Sequence, residues 1–235
     1  MVEDSSIVTV RMIPGVLAPP PGKPRLDSVP ELQAFAAQVA VEGAWGPDVA
    51  GVVAAFFDQL AVNWNAEHSV GRFEPVSDAL RRGGVESGGR CLEVGSGTGQ
   101  ITPLLAAHFG KVVSVDLSAA MLEQAAGPQG SRLRCDAAQM PFADAVFDAA
   151  VLVDTLCFAG ELARVLAHDG VVIWVNLLGQ DGPLYVSTAD IARVLPGEWD
   201  GVESSSGWGT WAVLHRSPAT SAGQSARGGG EAPRA

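Results

Sequence analysis

The most restrictive feature of the chain is a run of alternating glycines, Gly95-Ser96-Gly97-Thr98-Gly99, set between a strand pattern and a helix pattern. Residues 90–94 favour β structure, and Ile101, Leu104, Leu105 and His108 mark one face of a helix. Glycine tolerates positive φ and has no Cβ to block a ligand. The start of the following helix presents free N–H groups. In an open α/β sheet such a turn lies at the carboxyl edge, where ligands collect.

The alternation continues downstream. Residues 112–115 predict a second strand, 133–135 a third, 147–153 a fourth and 171–175 a fully buried fifth. Ser118 is placed to cap a helix carrying Met121, Leu122 and Ala125, which Gly127-Pro128 ends. Leu162, Val165 and Leu166 define another helix, and Ser187 with Asp190 predicts a capping box before 191–195. Residues 202–204 and 210–214 flank a Ser-Gly-rich turn and predict a closing hairpin. Strands alternating with helices imply βαβ units and a mainly parallel sheet.

Four stretches follow from this reading. Residues 1–30 are a Pro-rich extended arm with a short strand signal at 7–12. Residues 31–82 are helical, 83–216 form the α/β core, and 217–235 have the composition of a disordered tail. The helical stretch is carried by Leu32, Phe35, Ala36 and Val39, then by Val49, Val52, Val53, Phe56, Phe57 and Leu60, then by Val76, Ala79 and Leu80.

Three acids accompany the glycine turn. Asp116 ends the second strand, where a carboxylate can accept both hydroxyls of a ribose. Asp136, after the third strand, is placed to accept an adenine amino group. Glu93, just before the turn, is placed to face a cationic amino group. The set fits a nucleoside with a positively charged tail. A nicotinamide dinucleotide is disfavoured, because Gln100 stands where GxGxxG needs its last glycine.

These residues resemble the motifs of the class I S-adenosylmethionine-dependent methyltransferases, nearest to the group that includes ubiquinone and menaquinone biosynthesis enzymes. Glu93 to Gly99 resembles the first motif and 113–118 the second. Residues 135–137 with Met140-Pro141-Phe142 resemble the third, and 161–166 with Asp169-Gly170 the segment before strand five. The resemblance covers about residues 90–216 and implies a Rossmann-like, seven-stranded, mostly parallel sheet with flanking helices and an N-terminal helical lid. It further implies S-adenosylmethionine bound by Glu93, Gly95, Ser96, Gly97, Thr98, Gly99, Asp116, Leu117, Asp136, Ala137, Val153 and Asp154. The helix around Phe57 and Trp64 resembles the family's lid. This makes Phe57 and Trp64 substrate-pocket candidates and His68 the candidate general base, while Thr155, just beyond the fourth strand, and Asn176, at the end of the fifth, are further pocket candidates. Asp148, Glu161 and Arg164 read as structural, the last two as an exposed i, i+3 pair. The segment 154–160 is shorter than in many relatives, so the acceptor stays open. A non-catalytic S-adenosylmethionine-binding regulatory module is the alternative to a transferase.

Composition narrows the partners. A net charge of −11 disfavours nucleic acid, and a small-molecule acceptor is expected. No apolar run reaches membrane-spanning length, so no membrane insertion is expected. Three scattered cysteines read as reduced thiols in a cytoplasmic protein, and the four histidines lack metal-ligand spacing, so no metal is expected.

Overall fold

The computed structural model describes residues 9–26, 29–68, 70–125, 127 and 130–217. The expected tail, apart from Ser217, and part of the arm lie outside the described residues. The elements run β1 (Thr9–Met12), α1 (Val29–Ala37, continued by a π-helical turn Gln38–Glu42), α2 (Pro47–Leu60), α3 (Trp64–Glu67) and α4 (Phe73–Arg82). They continue with β2 (Arg90–Val94), α5 (Thr102–His108), β3 (Lys111–Asp116), α6 (Ala119–Gln124), β4 (Ser131–Arg134) and β5 (Phe147–Val153). Last come α7 (Ala159–Val165), β6 (Leu166–Asn176), α8 (Thr188–Val194), β7 (Trp199–Ser206) and β8 (Gly209–Arg216).

One sheet has the order β1-β7-β8-β6-β5-β2-β3-β4. β8 runs antiparallel to both neighbours, and the remaining pairings are parallel. The mostly parallel Rossmann-like sheet is therefore present, with eight strands rather than seven. The additional strand is β1, which pairs parallel with β7 at Thr9–Asp200 through Met12–Glu203. Beyond it the arm stays on the sheet edge. The Ile13 amide donates to Glu203 O at 2.9 Å, and the Trp208 indole to Pro20 O at 2.6 Å. Proline suits this edge because it has no N–H to leave unpaired there.

The strands alternate their side chains between two cores. Leu92, Ala150, Leu152, Val172 and Trp174 face one side with α7 and α8. Cys91, Ala149, Val151, Ile173 and Val175 face the other with α4 and α5. Covering both faces with helices is what a parallel sheet requires. Helix α4 is fastened to this sheet through Asp78, which is fully buried. Its carboxylate accepts from Arg82 at 2.9 Å and from the Trp211 indole at 2.9 Å.

The expected caps form. Ser118 Oγ accepts the Met121 amide at 3.1 Å, and Ser187 Oγ accepts the Asp190 amide at 3.1 Å. The Glu161–Arg164 pair forms too, but it is more than an exposed pair. Arg164 also reaches the carbonyls of Met140 and Phe142, clamping the loop before β5. β2 lies between β3 and β5, so the chain reverses its direction of travel across the sheet at β2. The crevice at the carboxyl ends of β2 and β5 is the topological switch point.

Candidate active site

The glycine turn enters the crevice directly from β2. Gly95, Gly97 and Gly99 all have positive φ, at 65°, 54° and 73°. At Gly95 the reason is also steric: a Cβ would stand 2.2 Å from Thr155 Oγ1 and 2.6 Å from Thr155 Cβ. The turn is held by Ser96 N donating to Val115 O at 3.0 Å and Gly99 N to Ser96 O at 2.9 Å.

Asp116 meets that turn. Its Oδ2 accepts the Gly97 amide at 2.7 Å and its Oδ1 the Ser118 amide at 2.8 Å. Burial raises its carboxyl pKa, and the N–H groups of Ser118, Gly97 and Leu117 oppose the rise. The neighbouring Leu117 carbonyl accepts from Arg134 at 3.2 Å. Asp136, beyond β4 and next to Ala137, accepts the Ala138 amide at 2.8 Å. It also accepts the Trp45 indole N–H, at 2.9 Å to Oδ2 and 3.2 Å to Oδ1.

Glu93 is buried and lines the crevice with Val94, Gly95, Ser96, Thr98 and Val153. Its Oε2 accepts the Thr102 hydroxyl at 2.7 Å and the Ser114 hydroxyl at 2.6 Å. Burial raises its pKa, and these hydroxyls counter that. Asp154 adopts φ 46° beside the turn. Its amide donates to Val175 O at 3.0 Å and its Oδ1 accepts the Leu177 amide at 2.9 Å, which ties β5 to β6. Burial raises its pKa as well. Asn176 is buried at the end of β6, with no hydrogen-bond partner for its side-chain oxygen among the described residues. It is not among the residues that line the crevice beside Glu93.

The helices before β2 cover this crevice. Phe57 meets Trp64 edge-on at 5.9 Å, and Trp64 stacks on His68 at 4.1 Å. The Trp64 indole nitrogen lies 3.8 Å from where a Gly97 Cβ would stand. Arg72 sits over the Trp64 ring at 5.4 Å and donates to the His68 carbonyl. His68 Nδ1 is 3.3 Å from Trp64 O, which can only accept, so that nitrogen carries the proton and Nε2 is the basic one. Burial, then the Arg72 charge, lowers the His68 pKa and favours the neutral ring.

Four residues absent from the sequence-based set also join the site: Trp45, Asp58, Asn65 and Arg72. Asp58 Oδ1 accepts the Ser118 hydroxyl and, at 3.1 Å, the Ala120 amide. Asn65 Oδ1 accepts the Thr98 hydroxyl at 2.5 Å and the Gln100 amide at 2.6 Å. Arg72 is a cation lining the crevice near Glu93. The polar positions on the amphipathic stretch 49–60 were the available signal for Asp58. Nothing local singles out the other three.

The residues fit an adenosyl group on two observations. Gly97 leaves open the space that a Cβ would take, and Ser96 Oγ and Gln100 Oε1 are buried at the crevice with no partner among the described residues. Among the described residues no group of three potential metal ligands occurs. None of the described helices is long and apolar enough to cross a membrane.

A family model described as a methyltransferase domain matches residues 92–174. A phosphatidylethanolamine N-methyltransferase of Cereibacter sphaeroides is 34% identical over 122 residues, 45% of this chain and 60% of that protein. A demethylmenaquinone methyltransferase of Mycolicibacterium paratuberculosis is 31% identical over 157 residues, 61% of this chain and 68% of that protein. The chain thus spans 60% and 68% of the lengths of these two relatives. Among solved structures, a SAM-dependent methyltransferase from Aquifex aeolicus shares the fold. Its TM-score is 0.53 at 19% identity, over 68% of this chain and 96% of that one.

Proposed function

Because the chain belongs to the class I S-adenosylmethionine-dependent methyltransferases, we propose that it transfers a methyl group from S-adenosylmethionine to a small-molecule acceptor. The observation that carries this reading is the meeting of the Gly97 amide and the Asp116 carboxylate at the switch point. When bound, the donor supplies an electrophilic methyl group on a sulfonium centre.

In this reading the Asp116 carboxylate holds the ribose hydroxyls, and Asp136 and Ala137 take the adenine edge. Gly95 to Gly99, with the hydroxyls of Ser96 and Thr98, form the cradle. Glu93, Val153 and Asp154 flank the methionine end, with Leu117 beside the ribose. Fixing donor and acceptor in line supplies much of the rate of such a transfer. Phe57 and Trp64 belong to a lid formed by α2 and α3, which excludes water. Thr155 and Asn176 border the acceptor side. Helix α4 belongs with the core, because Asp78 ties it to β8. His68, neutral and with Nε2 basic, takes a proton where the acceptor must lose one.

Two features support the acceptor class. The net charge of −11 disfavours nucleic acid. The relatives are named for phosphatidylethanolamine and demethylmenaquinone, both small molecules. Burial raises the thiol pKa of Cys135 to about 11 and of Cys157 to about 12, and leaves these free cysteines poor nucleophiles. Unpaired, inert thiols suit a reducing cytoplasm.

Calorimetry with S-adenosylmethionine and S-adenosylhomocysteine tests the donor, and labelled methyl transfer into cell extract tests the reaction. Binding together with a labelled small molecule supports the proposal. Binding with no labelled product in any extract makes the chain a non-catalytic binding module.

A further inference from the structure

The lid makes polar contacts with each of the three loops that follow β2, β3 and β4. On the first loop, Asn65 receives Thr98 and Gln100. On the second, Asp58 receives Ser118 and Ala120. On the third, the Trp45 indole N–H bridges both oxygens of Asp136, while the ring packs edge-on against Phe158 at 5.1 Å. What remains open of the crevice beside Glu93 and Ser96 is about 20 Å³. Sites for ligands of this size run to about 300–1,000 Å³. The crevice is therefore closed at its Glu93 end, and the carboxylate read as the adenine contact already has a donor in place.

We propose that residues 45–65 form a latch that shuts the donor site in the free protein. In this latch the Trp45 indole N–H occupies the Asp136 carboxylate in place of an adenine amino group. The inference rests on the donor reading above and goes beyond it. Binding must displace the indole, so the apparent affinity is the intrinsic affinity reduced by the fraction of molecules that are unlatched. Two separate anchors hold the same segment: Trp45 on Asp136, and Asp58 on the start of α6. Loosening either one acts in the same direction.

The test is stopped-flow and equilibrium binding of S-adenosylhomocysteine to the full chain, to Trp45→Phe and to Asp58→Asn. Phenylalanine keeps an aromatic ring for Phe158 and lacks the N–H. Each variant is expected to bind roughly three- to tenfold tighter, the scale of one lost hydrogen bond. The gain should appear in the association rate, with dissociation unchanged. A slower or unaltered association rate in Trp45→Phe overturns the latch and leaves the donor reading standing. Absence of binding in all three proteins overturns the donor reading, and the latch falls with it.

Discussion

The Asp116 carboxylate accepts the Gly97 amide at 2.7 Å, linking the end of β3 to the glycine turn after β2. The second oxygen takes the Ser118 amide, so the carboxylate is fixed in orientation before any ligand arrives. Such preorganisation lowers the entropic cost of binding. Asp116→Ala is expected to weaken S-adenosylhomocysteine binding by about 1.5–3 kcal/mol, the range for hydrogen bonds to a charged group. Titration calorimetry measures it, and an unchanged affinity removes Asp116 from the site.

The same carboxylate sets a pH window. Burial raises the folded-state pKa of Asp116, as it does for Glu93 and Asp154. For an acid shifted upward, the contribution to stability is complete below the unfolded value of about 4 and is lost as pH rises through the folded value. Ribose hydroxyls engage the ionised form, so ligand binding runs the other way and strengthens across that interval. The melting-temperature gain from S-adenosylhomocysteine should therefore grow from pH 4.5 to pH 7. A gain that is flat with pH detaches binding from these carboxylates.

His68 offers a separate titration. Burial first, then the Arg72 charge, lowers its pKa, and Arg72 also donates to its carbonyl. For a base shifted downward, the folded state resists protonation and stability is lost as pH falls below the usual value near 6.5. In Arg72→Gln the His68 imidazole should titrate at higher pH than in the parent protein, as read by its ring resonances in NMR. A pKa that stays put assigns the shift to burial under Trp64 alone.

Much of this architecture can be read from local pattern. Gly95, Gly97 and Gly99 punctuate a strand and a helix whose apolar spacing is unambiguous, and Asp116 closes the valine-rich run Val112-Val113-Ser114-Val115. The caps at Ser118 and Ser187 are legible because their partners lie three residues away. The strand role of 9–12 is only hinted at, since its pairing with β7 spans most of the chain and its neighbours are prolines. Trp45 and Asp136 lie 91 residues apart, and no periodicity brings an indole to a particular acid. Glu161 and Arg164 show the intermediate case. Their spacing predicts the pair, while the grip on Met140 and Phe142 depends on a loop that only the folded sheet positions.

Gly95 tests the local geometry. Alanine there must adopt φ near 65° and place its Cβ 2.2 Å from Thr155 Oγ1. The backbone and overpacking costs together come to about 2–6 kcal/mol. Rotating Thr155 does not relieve the clash, because Thr155 Cβ itself is 2.6 Å away. Gly95→Ala should lower the denaturant midpoint, and adding Thr155→Gly should recover the steric share and leave the backbone share. Strict additivity in that double-mutant cycle removes Thr155 as the obstacle.

Asp78 separates the core from the lid. Its side chain is fully buried between Arg81, Arg82 and the Trp211 indole, so truncation strands a buried N–H and uncouples α4 from β8. Stranding a buried donor costs about 1–3 kcal/mol, while Arg81 and Arg82 keep access to solvent. Asp78→Ala should lower unfolding stability by about that amount in urea. Asp78→Asn keeps an acceptor for Trp211 and should lose less. Trp45→Phe removes a contact on the lid rim and should stay within about 1 kcal/mol of the parent. If Trp45→Phe unfolds as readily as Asp78→Ala, the helices before β2 are one cooperative unit with the sheet, and a lid that opens on its own is ruled out.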